Sequence, residues 1–155
     1  MEPLIPLYVI LPLGAAFLIP VIGRFIKGFQ KTITSIVFLF LLGLSIKFII
    51  NGINEPLAYK IGGWEPVAGI PIAIYFVLDG LSIFMLCIVN LIAFLSGFYA
   101  ISYIKKFTAE NNFYALFSLM VAGMNGVILT GDLFNLFVFL EIAVIASYAL
   151  VAFGI

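Results

Sequence analysis

Glu141 is the residue whose position calls for chemistry. It lies in TGDLFNLFVFLEIAVIASYALVAFGI, residues 130–155, with apolar stretches of similar length on either side. Asp132 opens this segment, and at 1.5 Å per residue Glu141 sits about 13 Å further along a helix axis. That depth is near the centre of a bilayer, where a carboxylate costs roughly 2.5–3.5 kcal/mol on insertion scales. Capping a helix is worth about 1 kcal/mol and cannot offset that cost. A carboxyl group so placed must pair with a cation, face water or accept a proton. Burial favours its neutral form and a nearby cation its charged form, so a moving charge can switch it. The chemistry implied is proton or ion translocation, the alternative being a structural buried hydrogen bond.

Other candidates are weaker. Tyr148 falls on nearly the same helical face as Glu141, two turns on, with Ala152 beyond, whereas Asn135 and Ser147 project elsewhere. Tyr148 can bond the carboxyl group, help conduct protons, or serve as an interfacial tyrosine. Ser118, Ala122, Asn125 and Gly126 form a stripe of small and weakly polar residues suited to close helix packing, with Asn125 the member able to join a polar path. Asp79, in FVLDGLS, and Asp132, in TGDLF, each open an apolar segment. They read as N-caps at the positive end of a helix dipole, or else as entrance or coupling charges for an ion path. Glu2, Glu55, Glu65 and Glu110 read as ordinary solvated charges. Lys47 is the cation nearest in depth to Glu141, but it lies towards the outer surface, where it is expected to snorkel. No cation matches the depth of Glu141, so its partner must be water or come from outside these residues.

The elements that must hold these residues follow from composition. Of 155 residues 65% are hydrophobic and 9% charged, and the mean hydropathy is +1.32. Soluble domains are closer to half apolar and a quarter charged. Apolar runs of about 20 residues span a bilayer as helices, so the expected fold is an all-α, polytopic membrane protein. Five transmembrane helices are expected at about 4–23, 33–50, 76–104, 113–129 and 133–154, forming a single transmembrane domain over 1–155 with an outer loop at 51–75. The third run exceeds a membrane's thickness and should tilt or extend beyond it. The first lacks a basic n-region and contains Pro6, Pro12 and Pro20, unlike a signal peptide.

Arg24, Lys27 and Lys31 in one loop, and Lys105 and Lys106 in another, assign one side to the cytoplasm, with the N-terminus outside and the C-terminus cytoplasmic. In the outer loop Gly62-Gly63 permits a small hairpin, and Tyr59, Trp64 and Tyr75 suit the membrane boundary. With its prolines the loop reads as a structural cap. Zero formal net charge offers no basic footprint for nucleic acid, and no partner of that kind is expected. The absence of His and the single Cys87 argue against Cys/His metal clusters, His-ligated haem or an internal disulfide, so no metal or cofactor is expected. No nucleophile–base pair or phosphate loop supports a membrane-embedded transferase or protease, and no redox centre is expected.

The string TGDLFNLFVFLEIAVIASYALVAFG resembles the fifth helix of the antiporter-like membrane subunits. That family comprises Mrp-type cation/proton antiporters (their D-type subunits in particular), respiratory complex I proton-pumping subunits, and archaeal membrane-bound hydrogenase or sulfur-reducing complexes. KIGGWEPVAGIPIAIYFVLDGLS and the short first pair of helices agree with it, and the resemblance covers the whole chain. It implies that Glu141 matches a glutamate implicated in proton translocation, thought to communicate with a lysine on a later, interrupted helix. That lysine has no counterpart here. Members are much longer, with two inverted repeats of five helices, and this sequence reaches the second helix of the first repeat.

The function expected is that of a membrane subunit in a multi-subunit ion-translocating complex of a prokaryotic plasma membrane, Glu141 serving proton or possibly sodium movement. The alternative is a truncated structural or assembly subunit without its own ion path. A split subunit, a reduced paralogue and a piece of a longer protein all fit, the end after Gly154 favouring a real terminus. Partners expected are lipid and other membrane subunits, including a chain supplying the missing helices and the lysine.

Overall fold

The computed structural model describes residues 2–52, 55–61, 74–104 and 109–153. The sequence readings of Gly62, Gly63, Trp64, Glu65, Lys105, Lys106 and Gly154 lie outside the described residues. Five helices run through it: α1 (Leu7–Ile22), α2 (Phe29–Asn51), α3 (Gly80–Tyr103), α4 (Glu110–Leu129) and α5 (Leu133–Ala152). A short 3₁₀ turn at Glu2–Leu4 precedes them, and strands β1 (Leu57–Ile61) and β2 (Ile74–Leu78) separate α2 from α3. The protein is a helical membrane protein. Four helices, α2 to α5, are long and apolar enough to cross a bilayer; α1 is apolar but has only 16 residues.

Several boundaries differ from expectation for physical reasons. The run taken as helix three from residue 76 begins as strand: Tyr75, Phe76, Val77 and Leu78 alternate outward and inward, with Phe76 and Leu78 buried. β2 pairs antiparallel with β1, from Leu57 opposite Leu78 to Ile61 opposite Ile74. Helix three starts only after Asp79, whose side chain accepts a 2.7 Å hydrogen bond from the Ser82 amide. α2 and α4 start earlier than apolarity suggests, at Phe29 and Glu110, because their polar first turns meet one another. Lys31 Nζ lies 2.7 Å from Glu110 Oε2, and Gln30 Nε2 donates to the same oxygen at 3.2 Å. Glu110, read as a solvated charge, is therefore half-buried in an ion pair.

That pair joins the start of α2 to the start of α4 at one end of the bundle, the loop end. At the opposite, hairpin end, Phe76 bridges Thr130 and the Gly131 amide donates to Tyr75 O at 2.8 Å. A Cβ at Gly131 would fall 2.8 Å from Val77 Cγ2, so only glycine lets the strand approach this closely. α4 is the hub and touches every other helix. Inward faces carry Tyr8, Phe38, Phe48, Leu86 and Val121, and outward faces carry large apolar groups such as Phe17 and Leu95. In lipid the outward groups cost nothing, and packing and interhelical hydrogen bonds hold the bundle.

Candidate functional site

Glu141 is the ninth residue of the twenty in α5, about 12 Å from its first residue. Its direction is set by α4. A Cβ at Gly123 would fall 2.7 Å from Ala143 N and 2.9 Å from Phe139 O, and one at Gly126 would enter the Phe139 ring. These glycines seat Phe139 and Ala143, one turn apart, directly on the α4 backbone. Glu141 lies midway between them, about 200° around the helix from each, so it points away from α4. Phe137 and Tyr148 share that outward face and are well exposed, Tyr148 at 71%, whereas Glu141 itself is half-buried. Among the described residues Glu141 has no hydrogen-bond or ion-pair partner.

The other candidates separate from it. Asp132 caps α5, accepting from the Asn135 amide at 2.8 Å through Oδ1 and from Asn135 Nδ2 at 2.6 Å through Oδ2. Partial burial opposes its charge, but the Asn135 donors outweigh it and hold the carboxyl below its ordinary value. Donation from Ser82, chiefly its backbone amide, does the same for Asp79. Lys47 is exposed near the hairpin end of α2. Neither it nor the two caps contacts Glu141.

The stripe on α4 divides. Gly126, with Gly123, faces α5, whereas Asn125 faces α1 and α3. Asn125 Nδ2 donates to Tyr8 O at 3.0 Å and to Asn90 Oδ1 at 3.2 Å, and Asn90 Nδ2 returns a 3.2 Å bond to Asn125 Oδ1. Pro12 explains the first bond. It has no N–H to offer the carbonyl four residues back, so Tyr8 O would be orphaned in a medium with no water. Tyr8 Oη and Ser45 Oγ share a 3.0 Å bond, so α1 to α4 are joined by one buried polar chain. Sequence reasoning passed over Asn90, Tyr8 and Ser45. The signals were an asparagine in the middle of an apolar helix and a proline four residues after Tyr8.

Comparison with known proteins bears on this arrangement. Residues 64–117 match the family described as NADH-Ubiquinone oxidoreductase (complex I), chain 5 N-terminus. The D-type subunit of a probable K(+)/H(+) antiporter from Rhizobium meliloti (strain 1021) is 37% identical over 160 residues, a match covering 99% of this chain and 29% of that protein. The chain is a relative of the antiporter-like membrane subunits. Two solved structures share its fold. A chain of the membrane-bound sulfane sulfur reductase, an archaeal respiratory membrane complex, superposes with a TM-score of 0.82 at 28% identity, covering 94% of this chain and 29% of that one. A chain of the Mrp complex from Dietzia sp. DQ12-45-1b gives 0.80 at 29% identity, covering 96% and 27%. The chain thus spans less than a third of the length of these relatives.

Proposed function

We propose that this chain supplies the N-terminal transmembrane portion of a subunit in a multi-subunit ion-translocating complex of a prokaryotic plasma membrane, and that Glu141 carries protons or couples cation movement there. All five helices form one transmembrane domain, α1 included, with the N-terminus outside and the loop end cytoplasmic. Arg24, Lys27 and Lys31 support that orientation. The observation that carries the reading is the aim of Glu141: the Gly123 and Gly126 contacts turn a mid-helix carboxyl group away from its own bundle, onto a face where no described residue pairs with it. A group of that cost is answered by a cation or water brought by further helices, whether they continue this polypeptide or belong to another. Tyr148, on the same face, is an auxiliary proton donor and acceptor in this reading; Asn125, Asp79, Asp132 and Lys47 serve packing, capping and the interface.

Glu141→Gln in the assembled complex should abolish ion transport or its coupling while leaving assembly intact. Normal transport by that variant would remove the proposal. The same unpaired, outward aim fits a second reading, in which Glu141 is a salt-bridge anchor for a neighbouring helix. In that case Glu141→Gln lowers the yield of complex, and what assembles turns over normally.

A further inference from the structure

At the loop end a groove of about 420 Å³ runs between α2 and α3, with no lining residue from α5. Its α2 side is graded. Lys31, Thr32 and Ser35 lie in the first turns of α2 and Leu39 lies deeper, level with Phe94 of α3, while Phe98 and Ile101 line the α3 side nearer the loop end. From Lys31 to Leu39 is about 12 Å along the axis, the distance from the headgroup layer into the acyl region. Polar groups at the water end and apolar groups below reproduce the profile of a phospholipid.

Charge selects the kind of phospholipid. Among the described residues the loop end carries Arg24, Lys27 and Lys31 against Glu110, whereas the hairpin end carries Lys47 and Lys60 against Glu2, Glu55, Asp79 and Asp132. Lys31 gives one of its three N–H groups to Glu110 and keeps the others. Arg24 and Lys27 are exposed and have no ion-pair partner among the described residues. Between them Phe25 and Ile26 are exposed as well, a pattern that places this loop at the boundary of headgroups and acyl chains. α2 is preceded by Gly28 at its N-cap, in the left-handed region with φ 84°, and no side chain caps it, so the positive end of its dipole also faces an incoming phosphate. The same α2–α3 seam has a second groove at the hairpin end, of about 310 Å³, lined by Phe48, Ile49, Ile83 and Phe84 among others and by no charged or hydroxyl side chain.

We propose that the loop-end groove binds an anionic phospholipid. Its phosphate is held by Lys31 and Ser35 with Arg24 and Lys27 alongside, and an acyl chain runs past Phe98 to Leu39 and Phe94. The site is independent of any role for Glu141.

Its test uses the full chain with Trp64→Phe and a single tryptophan placed by Leu39→Trp in this groove, or by Phe84→Trp in the hairpin-end groove. The chain is reconstituted in phosphatidylcholine vesicles containing brominated phosphatidylglycerol or brominated phosphatidylcholine, and quenching is compared. At Leu39→Trp the anionic lipid should be preferred about fivefold or more, the effect of at least one interfacial cation, and Arg24→Gln, Lys27→Gln and Lys31→Gln together should abolish most of that preference. At Phe84→Trp the two lipids should quench alike. Equal quenching at Leu39→Trp, the same preference at Phe84→Trp, or a preference that survives loss of all three cations would each overturn the proposal.

Discussion

Asn125 shows how one side chain completes a helix it does not belong to. Its amide replaces the N–H that Pro12 lacks and closes a reciprocal pair with Asn90, so three helices depend on it. Replacing it with leucine strands Tyr8 O and one face of the Asn90 amide. Each unsatisfied buried group costs about 1–3 kcal/mol, so Asn125→Leu should lower the thermal unfolding midpoint in detergent clearly. Pro12→Ala restores the missing N–H, and combined with Asn125→Leu it should recover part of the loss. A double variant no more stable than Asn125→Leu would show that the orphaned carbonyl is not the source. Asp132 is the opposite case: its carboxylate is spent on its own helix start, and the donors that lower its pKa are those of the cap.

Between elements, the α4–α5 contact is built on the absence of side chains. Gly126→Val would push α5 off by at least the thickness of a methyl group, because the Phe139 ring occupies the space where a Cβ would go. α5 can then rotate, and Glu141 loses its aim. Gly126→Val should therefore depress transport by the assembled complex nearly as much as Glu141→Gln, with α5 still inserted; cysteine accessibility at Tyr148 would report the rotation. Full transport in Gly126→Val would separate the aim of Glu141 from its role. Helix existence was legible in the sequence because lipid demands long apolar runs, and the place of Glu141 near the middle of α5 followed from counting. Starts were less legible. The strand at Ile74–Leu78 is as apolar as the helix after it, and only its pairing with Leu57–Ile61 distinguishes them. The polar first turns of α2 and α4 read as loop because Lys31 and Glu110 are far apart in sequence and meet only in the fold. The direction of Glu141 was open for the same reason: periodicity shows which residues share a face, but only the glycines of a neighbouring helix decide where that face looks.

The molecule as a whole is unevenly covered. Of the apolar stretch of α5 only 11% is buried, against 50% for α4, although α5 carries the mid-helix carboxyl group. A helix facing lipid needs no cover, and Phe17 on α1 or Leu95 on α3 can remain there. On the function proposed above, the face of α5 bearing Phe137, Glu141 and Tyr148 cannot, since hydrocarbon would leave the carboxyl group without water or cation at a cost of several kcal/mol. The two ends differ as well, one rich in cations and the other in carboxylates. A photo-crosslinker in place of Phe137 or Tyr148 should therefore form, within the membrane complex, an adduct with a transmembrane helix that carries a lysine at mid-depth. The same group in place of Phe17 should give lipid adducts. If Phe137 and Phe17 both yield lipid alone, the α5 face is not an interface, and Glu141 must be served by water entering along its own helix.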